Sequence, residues 1–277
     1  MFTLNCKGRL LVIENPIVMG IINATPDSFY EGSRFMGEEK ILYEAEKMLK
    51  DGADILDIGG QSTRPGSIQL NEDEELKRVI DPIELLHKNF PETIISIDTY
   101  QSKVAAEAVS AGASIVNDIS GGNMNAEMLQ VVGKLDVPYI CMHMQGTPQT
   151  MQKEPHYENV TRELLDFFIQ KINDCKEAGI HDVIIDPGFG FGKTIKHNFE
   201  LLKNLSVFKM LEKPLMVGIS RKSTIYKTLG ITANEALNGT TVMNTIALLN
   251  GANIIRVHDV KEAEEAIKLV SAMRDTE

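Results

Sequence analysis

Short apolar runs alternate with amphipathic stretches along nearly the whole chain. The apolar runs have the length and continuity of strands that are buried on both faces, and the stretches between them repeat apolar residues with the period of a helix. Eight such units follow one another from Ile17 to the C-terminus. The predicted strands are Ile17–Ile22, Asp54–Ile58, Thr93–Ile97, Ser114–Val116, Val137–Met142, Val183–Ile185, Leu215–Gly218 and Asn253–Val257. Helices are predicted between them, for example over Glu38–Lys50, Gln101–Ala111 and Asn159–Ala178.

This alternation predicts an α/β fold in a single domain that covers residues 1–277. Eight right-handed βα units close most simply into a (β/α)8 TIM barrel, and an open doubly wound sheet is the alternative. Two short apolar runs around Leu4 and Leu11, separated by Lys7–Arg9, precede the first unit. They predict a short N-terminal β-hairpin that closes the bottom of the barrel.

Polar side chains follow three of the predicted strands at the point where each strand ends. Asp98 follows Thr93–Ile97, Asn117 follows Ser114–Val116, and Asp186 follows Val183–Ile185. Either carboxylate by itself is also explained as the cap of the next helix, but its recurrence at strand ends favours a shared site. Because parallel strands end on the same side, two carboxylates and an amide are expected at one water-poor mouth, which suits a flat, hydrogen-bonding heterocycle.

The last two strands contribute cations. Arg256 and His258 alternate with Val257, so both are expected to face the lumen or the mouth, where barrels of this type usually bind phosphate. An inward arginine needs an anion, and the alternative is a structural ion pair with an inward carboxylate. Lys222 follows the seventh strand, where we expect a hydrogen-bonding or electrostatic role rather than a Schiff-base nucleophile.

Composition and charge restrict the class of protein. The chain of 277 residues is 43% hydrophobic, has a net charge of -11 and contains three cysteines without disulfide or zinc-ligand spacing. The negative charge argues against nucleic acid or an anionic membrane as a partner. The first apolar residues are interrupted by polar ones, unlike a signal peptide. A cytoplasmic enzyme is therefore expected.

Seven motifs in order make the chain similar to the dihydropteroate synthases. They are MGIINATPDSF (19–29), DIGGQSTRPGS (57–67), ISIDTYQ (95–101), NDISGG (117–122), DPGFGFGK (186–193), GISRKS (218–223) and RVHDV (256–260). The resemblance implies an eight-stranded barrel that joins a dihydropterin methyl diphosphate to para-aminobenzoate for folate synthesis. It further implies competition by sulfonamides and a homodimer. Because an arylamine is a poor nucleophile, diphosphate is expected to leave before the amine attacks.

The resemblance also implies roles for individual residues. The pterin ligands would be Asp98, Asn117, Met142, Asp186, Phe191 and Lys222. The diphosphate would be held by Asn23, Arg256 and His258, with Mg2+ near Asn23. The aminobenzoate pocket would contain Phe29, Thr63, Arg64, Pro65, Phe191 and Ser223. Catalytic roles would fall to Asp98, Lys222, Arg256 and His258.

Two alternatives remain open at the level of the sequence. A pterin-dependent methyltransferase of the corrinoid type shares the barrel and the pterin carboxylates but needs no diphosphate site, and the cations near the C-terminus argue against it. A catalytically silent pterin-binding protein is the other. Gln61 and Gln145 depart from the residues that are frequent in the family, Glu and Arg respectively, and this bears on the loops that contain them.

Overall fold

The computed structural model describes residues 1–24, 34–61 and 69–276. The strands are β1 Phe2–Cys6, β2 Arg9–Ile13, β3 Ile17–Asn23, β4 Ile55–Gly59, β5 Ile94–Asp98, β6 Ile115–Asp118, β7 Tyr139–Met142, β8 Val183–Asp186, β9 Met216–Val217 and β10 Ile254–Val257. The helices are α1 Arg34–Lys50, α2 Glu72–Asn89, α3 Ser102–Ala111, α4 Met128–Leu135, α5 Val160–Glu177, α6 Ile195–Lys203, α7 Ser223–Leu229, α8 Leu237–Leu249 and α9 Val260–Arg274, and a 3-10 helix spans Leu205–Leu211.

Strands β3 to β10 form one sheet in which every neighbouring pair is parallel. Their order is β8-β7-β6-β5-β4-β3-β10-β9. A parallel bridge between Ile185 in β8 and Leu215, which directly precedes β9, joins the two edges. The predicted eight-stranded barrel is therefore confirmed, and the open doubly wound sheet is wrong.

The N-terminal hairpin closes one end of the barrel, as predicted. Strands β1 and β2 pair in antiparallel fashion, and they pack against an apolar layer to which every barrel strand contributes. This layer contains Leu4, Cys6, Ile13, Ile17, Met19, Ile55, Ile94, Ile115, Ile140, Ile184, Met216 and Ile254. Each buried aliphatic side chain contributes about 1.5–3 kcal/mol. Because this layer fills the N-terminal end of the lumen, polar side chains are left to the opposite end.

Element boundaries differ from the prediction where local chemistry interrupts a pattern. The predicted strand Val137–Met142 begins only at Tyr139, because Pro138 has no N–H to contribute to a ladder. Two helices, α7 and α8, fill the connection between β9 and β10. Helix α2 begins as its acidic first turn indicates, with the Asn71 side chain accepting from the Glu74 N–H at 2.9 Å. None of the described helices is long and apolar enough to cross a membrane.

Candidate active site at the C-terminal end of the barrel

The polar strand ends lie in one row at the mouth of the barrel. Asn23 is in register with Gly59, Gly59 with Asp98, and Asp98 with Asn117. Asp186 ends β8 next to Met142 of β7. The side chains that the sequence places at strand ends therefore share the end of the lumen opposite the hairpin.

Arg256 lies between two carboxylates inside the barrel. Its Nε donates to Asp57 Oδ2 at 2.6 Å, and one Nη donates to Asp98 Oδ2 at 2.6 Å. The Arg256 side chain is 19% exposed, that of Asp98 10% and that of Asp57 0%. The structural ion pair that the sequence left open is thus present, and it forms at the mouth rather than deep in the apolar layer.

Asp57 is the member of this cluster that sequence reasoning missed. It occupies a lumen-facing position in β4, two residues before the strand ends, and its carboxylate also accepts from Asn117 Nδ2 at 3.0 Å. The carboxylate inside the apolar run Ile55–Gly59 could have indicated a site from the sequence alone, because such a group needs a partner when it is buried. The identity of that partner, Arg256, could not be predicted, because it is 199 residues away along the chain.

The pKa of Asp98 reflects this environment. Burial raises it to about 7, the Arg256 guanidinium opposes the rise, and the Asp57 carboxylate adds to it. Burial likewise raises the pKa of Asp186, while Lys222 and the N–H of Gly188 oppose the rise. Both carboxylates therefore lie in a weakly hydrated place where a change of charge nearby alters their protonation.

Asn117 and Asp118 point to opposite sides of β6. Asp118 accepts from Ser120 N and Gly122 N, each at 2.8 Å, and from Tyr139 Oη at 2.7 Å. It therefore shapes the turn behind the strand, whereas Asn117 faces the lumen. The pleat therefore gives the two neighbouring residues separate roles, Asn117 in the lumen and Asp118 in the turn.

Lys222 reaches the mouth from the loop after β9. Its Nζ donates to the Phe189 carbonyl at 2.6 Å and lies 4.5 Å from the centre of the Phe191 ring. Burial lowers the pKa of Lys222 to about 8, and the Asp186 carboxylate opposes this. Lys222 is also the N-cap residue of α7, so Ser223 is the first residue of that helix.

His258 lies beside the loop that contains Lys222. Its Nδ1 is 3.1 Å from Ser220 Oγ, and its backbone N–H donates to the same oxygen at 3.3 Å. The next residues on either side form a second link, because Arg221 binds Asp259 through Nε at 2.8 Å and through Nη2 at 2.9 Å. These contacts fix the loops after β9 and β10 against each other.

An apolar cluster forms one wall of the mouth. It consists of Tyr100, Ile119, Met142, Met144, Met151 and Phe191, all buried. Methionine side chains adapt their shape to a ring, and the Phe191 ring offers a flat face. The wall therefore joins the two apolar residues predicted for the pterin site, Met142 and Phe191.

The glycine-rich loop after β8 is held by a buried lysine. Lys193 Nζ donates to the carbonyls of Phe191 at 2.9 Å, Gly188 at 3.0 Å and His143 at 3.2 Å, and it lies 3.0 Å from His143 Nδ1. Burial lowers the pKa of Lys193 well below the ordinary lysine value. Gly188 has a φ of +68°, and a Cβ there would overlap the His143 carbonyl oxygen. His143 thus has a structural role in holding this loop.

Some predicted site residues are not accounted for by these contacts. Phe29, Thr63, Arg64 and Pro65 lie outside the described residues. Directly after β4, Gln61 donates from Nε2 to Tyr100 Oη at 2.8 Å. Gln145 accepts from the His156 N–H at 3.0 Å and donates to the His156 carbonyl at 2.9 Å. Both glutamines therefore connect loop segments and do not face the lumen cluster.

No group of three or more His, Cys, Asp or Glu side chains in the described part of the chain is arranged to hold a metal ion. Asn23 ends β3 with an exposed side chain. A carboxamide oxygen suits Mg2+, which commonly keeps several waters and takes its remaining ligands from one or two protein oxygens and from substrate phosphates. The donor set therefore fits a magnesium ion that arrives with a phosphate ligand.

Comparisons with known proteins agree with this geometry. A family model described as "Pterin binding enzyme" matches residues 19–258. The dihydropteroate synthase of Escherichia coli is 42% identical over 268 residues, which cover 96% of this chain and 94% of that protein. The dihydropteroate synthase of Yersinia pestis, solved with a sulfonamide drug, has a TM-score of 0.92 at 41% identity over 99% of this chain and 100% of that one. The Xanthomonas albilineans enzyme, solved with 7,8-dihydropteroate, has a TM-score of 0.88 at 35% identity and 99% coverage of both chains. The chain therefore belongs to the pterin binding enzymes and, within them, to the dihydropteroate synthases.

Proposed function

We propose that the chain is a transferase of folate biosynthesis that joins (7,8-dihydropterin-6-yl)methyl diphosphate to para-aminobenzoate and releases 7,8-dihydropteroate and diphosphate. The observation that carries this proposal is the meeting of Asp98, Asn117 and Arg256 in one hydrogen-bonded cluster, with Asp186 and Lys222 at the same mouth. A cluster of acceptors beside cations suits a substrate that has a donor-rich ring at one end and an anion at the other.

The pterin ring would be bound by Asp98, Asn117, Asp186 and Lys222. Asp186 offers carboxylate oxygens and Lys222 an ammonium, so the two complement a ring edge that both donates and accepts. Met142 and Phe191, on the apolar wall, would pack against the faces of the ring. Burial of these groups strengthens each hydrogen bond, because water competes weakly for them.

The diphosphate would be held by Asn23, Arg256 and His258, and Asn23 would also be the residue that holds Mg2+. When bound, the ion would supply positive charge that stabilises the growing negative charge of the leaving group. Arg256 offers a planar set of donors that matches phosphate oxygens. His258, two residues further along the chain, is exposed. Asp98, Lys222, Arg256 and His258 are the residues to which we assign catalytic roles.

The aminobenzoate would lie outside the pterin, between Phe191 and Ser223. Phe29, Thr63, Arg64 and Pro65 complete the pocket in this proposal. The carboxylate of the substrate would take a hydrogen bond from the Ser223 hydroxyl, since that residue begins α7 next to Lys222. Sulfonamides, which resemble para-aminobenzoate in shape, would compete at the same place.

The reaction would proceed by loss of diphosphate before the amine attacks. An arylamine is a weak nucleophile, whereas the dihydropterin ring can release electrons to break the methylene C–O bond. That electron pair leaves on diphosphate, and the cation left on the ring and methylene is stabilised by the Asp98 carboxylate. The amine lone pair then forms the C–N bond, and the nitrogen afterwards loses a proton.

A diphosphate-release assay tests the function directly. The purified chain is mixed with Mg2+ and both substrates, and diphosphate and dihydropteroate are measured together. We expect equal amounts of the two products. Dihydropteroate should depend on para-aminobenzoate, and without that amine only slow hydrolysis to the hydroxymethyl compound should occur. Methyl transfer without diphosphate, or pterin binding without products, would overturn the proposal in favour of the methyltransferase or the silent protein.

A series of substituted anilines tests the order of steps. If diphosphate leaves first, kcat changes little while the nucleophilicity of the amine changes greatly. A kcat that rises in proportion to nucleophilicity would contradict the dissociative scheme. Because the two experiments measure different quantities, the function and its mechanism can fail separately.

The homodimer is proposed on the apolar surface of α8 and α9. The run Val242–Leu249 contains both buried and exposed positions: Met243, Ala247 and Leu248 are buried, while other members are exposed. The exposed set consists of Val242, Ile246, Leu249, Leu269 and Met273. Helices α8 and α9 contact each other, and exposed apolar side chains on neighbouring helices suit an association site. Light scattering should give twice the chain mass, and Ile246→Lys should give a monomer; a monomeric wild type would refute the dimer.

We also propose a cytoplasmic location. Cys6, Cys141 and Cys175 are free and buried, which agrees with a reducing compartment. Fractionation of cells that express the chain tests the location.

A further inference from the structure

Asp57 is a charged side chain in a place that stability alone does not favour. Its side chain is fully buried in the lumen, and its Oδ1 has no hydrogen-bond partner among the described residues. Ser96, in register with Asp57 on the neighbouring strand, is likewise buried, and its hydroxyl has no partner in the described part of the chain. A half-satisfied buried carboxylate costs free energy that an apolar residue would avoid, so its presence needs a reason other than packing.

The contacts of Asp57 determine which way Asn117 presents its carboxamide. A carboxylate can only accept hydrogen bonds, so the Asn117 atom that lies 3.0 Å from Asp57 Oδ2 is the amide nitrogen Nδ2. Asp57 lies one pleat below the row that contains Asp98 and Asn117. The amide NH2 group of Asn117 therefore points down the lumen, and the Asn117 Oδ1 is turned away from Asp57. An Asn117 side chain held in this way offers an acceptor to a ligand.

The same carboxylate oxygen orients Arg256. Asp57 Oδ2 accepts from Arg256 Nε, and one Nη of Arg256 is shared between Asp57 and Asp98. One edge of the planar guanidinium is thereby held against two carboxylates. Asp57 thus joins the residue proposed for the leaving anion to the two proposed for the ring.

Asp57 also affects the charge of Asp98. The charged groups that act on Asp98 are Arg256, which favours its ionised form, and Asp57, Glu75 and Asp118, which disfavour it. Lys222 also interacts with Asp98. Removing the charge at position 57 would take away one repulsion and leave Arg256 to pair with Asp98 alone. Both effects lower the pKa of Asp98.

We propose that Asp57 is a positioning residue that sets the hydrogen-bonding polarity of the pterin site, by turning the Asn117 oxygen toward the ligand and by holding Arg256 against Asp98. It selects a heterocycle that presents an N–H to Asn117. This inference rests on the proposed roles of Asp98 and Asn117 in pterin binding.

The test compares Asp57→Asn and Asp57→Leu with Ser96→Ala. Asp57→Asn keeps an acceptor oxygen but removes the charge, whereas Asp57→Leu removes both. Ser96→Ala is the matched control, since it alters a buried polar group at the same depth whose hydroxyl has no hydrogen bond to Asn117 or Arg256. Thermal unfolding verifies that each variant folds. Binding of 6-hydroxymethylpterin, which has no diphosphate, is measured by calorimetry, and kcat/KM is measured from about pH 5 to about pH 9, two units on either side of neutral.

We expect Asp57→Leu to bind 6-hydroxymethylpterin about tenfold more weakly or worse, the loss typical of a misplaced hydrogen bond to a buried partner. Asp57→Asn should move the acid limb of kcat/KM to lower pH, away from the pKa of about 7 for Asp98. Ser96→Ala should match the wild type in both. If Asp57→Leu does not fold, the pH profile of Asp57→Asn still decides the question.

An acid limb of Asp57→Asn that superimposes on the wild type would overturn the inference, as would unchanged pterin binding by a folded Asp57→Leu. Failure of the proposed function looks different. In that case the wild type itself forms no dihydropteroate, whatever residue stands at position 57.

Discussion

Replacing Arg256 separates its part in the ion pair from its part in anion binding. Arg256→Met keeps most of the apolar stem and removes the charge, and Arg256→Lys keeps a charge without the planar fork. Arg256→Met leaves the Asp57 and Asp98 carboxylates buried without their cation. Removing one partner of a buried pair usually costs about 3–5 kcal/mol. Because the Arg256 side chain is 19% exposed, we expect the lower end of that range, about 3 kcal/mol.

The stability loss should depend on pH in a defined direction. Arg256 opposes the rise in the pKa of Asp98, so removing it raises that pKa above about 7. The folded variant then holds a proton on Asp98 that the unfolded chain, with its lower pKa, releases above about pH 4. The variant is therefore most stable at low pH, and its free energy of unfolding decreases as the pH rises toward the raised pKa of Asp98. Urea unfolding should show a smaller deficit for Arg256→Met at pH 6 than at pH 8.

Anion binding is measured under the condition in which the variant is most stable. At pH 6, calorimetry with diphosphate and Mg2+ should show binding to the wild type, weaker binding to Arg256→Lys and little binding to Arg256→Met. Binding of 6-hydroxymethylpterin provides the control for an intact ring site. A folded Arg256→Met that binds diphosphate as the wild type does would refute the anion role. Equal unfolding free energies at both pH values would refute the electrostatic account of the ion pair.

Three further changes test other parts of the site. Lys193→Met leaves three carbonyl groups without their donor and should lower the free energy of unfolding in urea by about 2–4 kcal/mol. An unchanged unfolding midpoint would show that Lys193 does not hold the loop. Gly188→Ala should lower the free energy of unfolding by at least about 2 kcal/mol, because the new Cβ overlaps the His143 carbonyl and the residue has a positive φ. Gly8→Ala is the control: Gly8 has a φ of +87° with open space around it, so the loss should be only about 1 kcal/mol, and equal losses would contradict the overlap. In the wild type, kcat/KM should fall above pH 8, because the Lys222 ammonium has a pKa of about 8 and loses its proton there. Lys222→Met should remove this fall. If the fall persists in the variant, another group causes it.

Much of the fold was predictable because its signals are local. The barrel strands are short apolar runs that alternate with helical stretches, and polar residues at the ends of three of the runs mark where those strands end. Asp98, Asn117 and Asp186 could therefore be placed at one mouth from the order of elements alone. The hairpin was predictable for the same reason, since the two apolar runs are separated only by Lys7–Arg9 and pair with each other.

The contacts within the site were not predictable, because they join residues far apart along the chain. Asp57 could be placed in the lumen by its period, but nothing in the sequence says that Arg256 turns toward it. Lys193 follows a glycine-rich run, as many exposed lysines do. Its burial depends on carbonyl groups that converge only after Gly188 takes a positive φ. The run Val242–Leu249 contains both core and surface positions, which its composition does not distinguish.

In the proposed mechanism the central cluster would couple the two halves of the reaction, because one guanidinium serves two carboxylates. Arg256 cannot satisfy Asp57, Asp98 and a departing diphosphate equally with the donors of a single planar group. An anion that draws on the Arg256 donors weakens the pairing with Asp98 and leaves that carboxylate more negative toward the ring. In that mechanism, the negative charge that moves onto the leaving group and the positive charge that appears on the pterin would be balanced by the same three side chains. For this reason, substitutions at Asp57, Asp98 and Arg256 should be interpreted as changes to one unit, whose effects do not add.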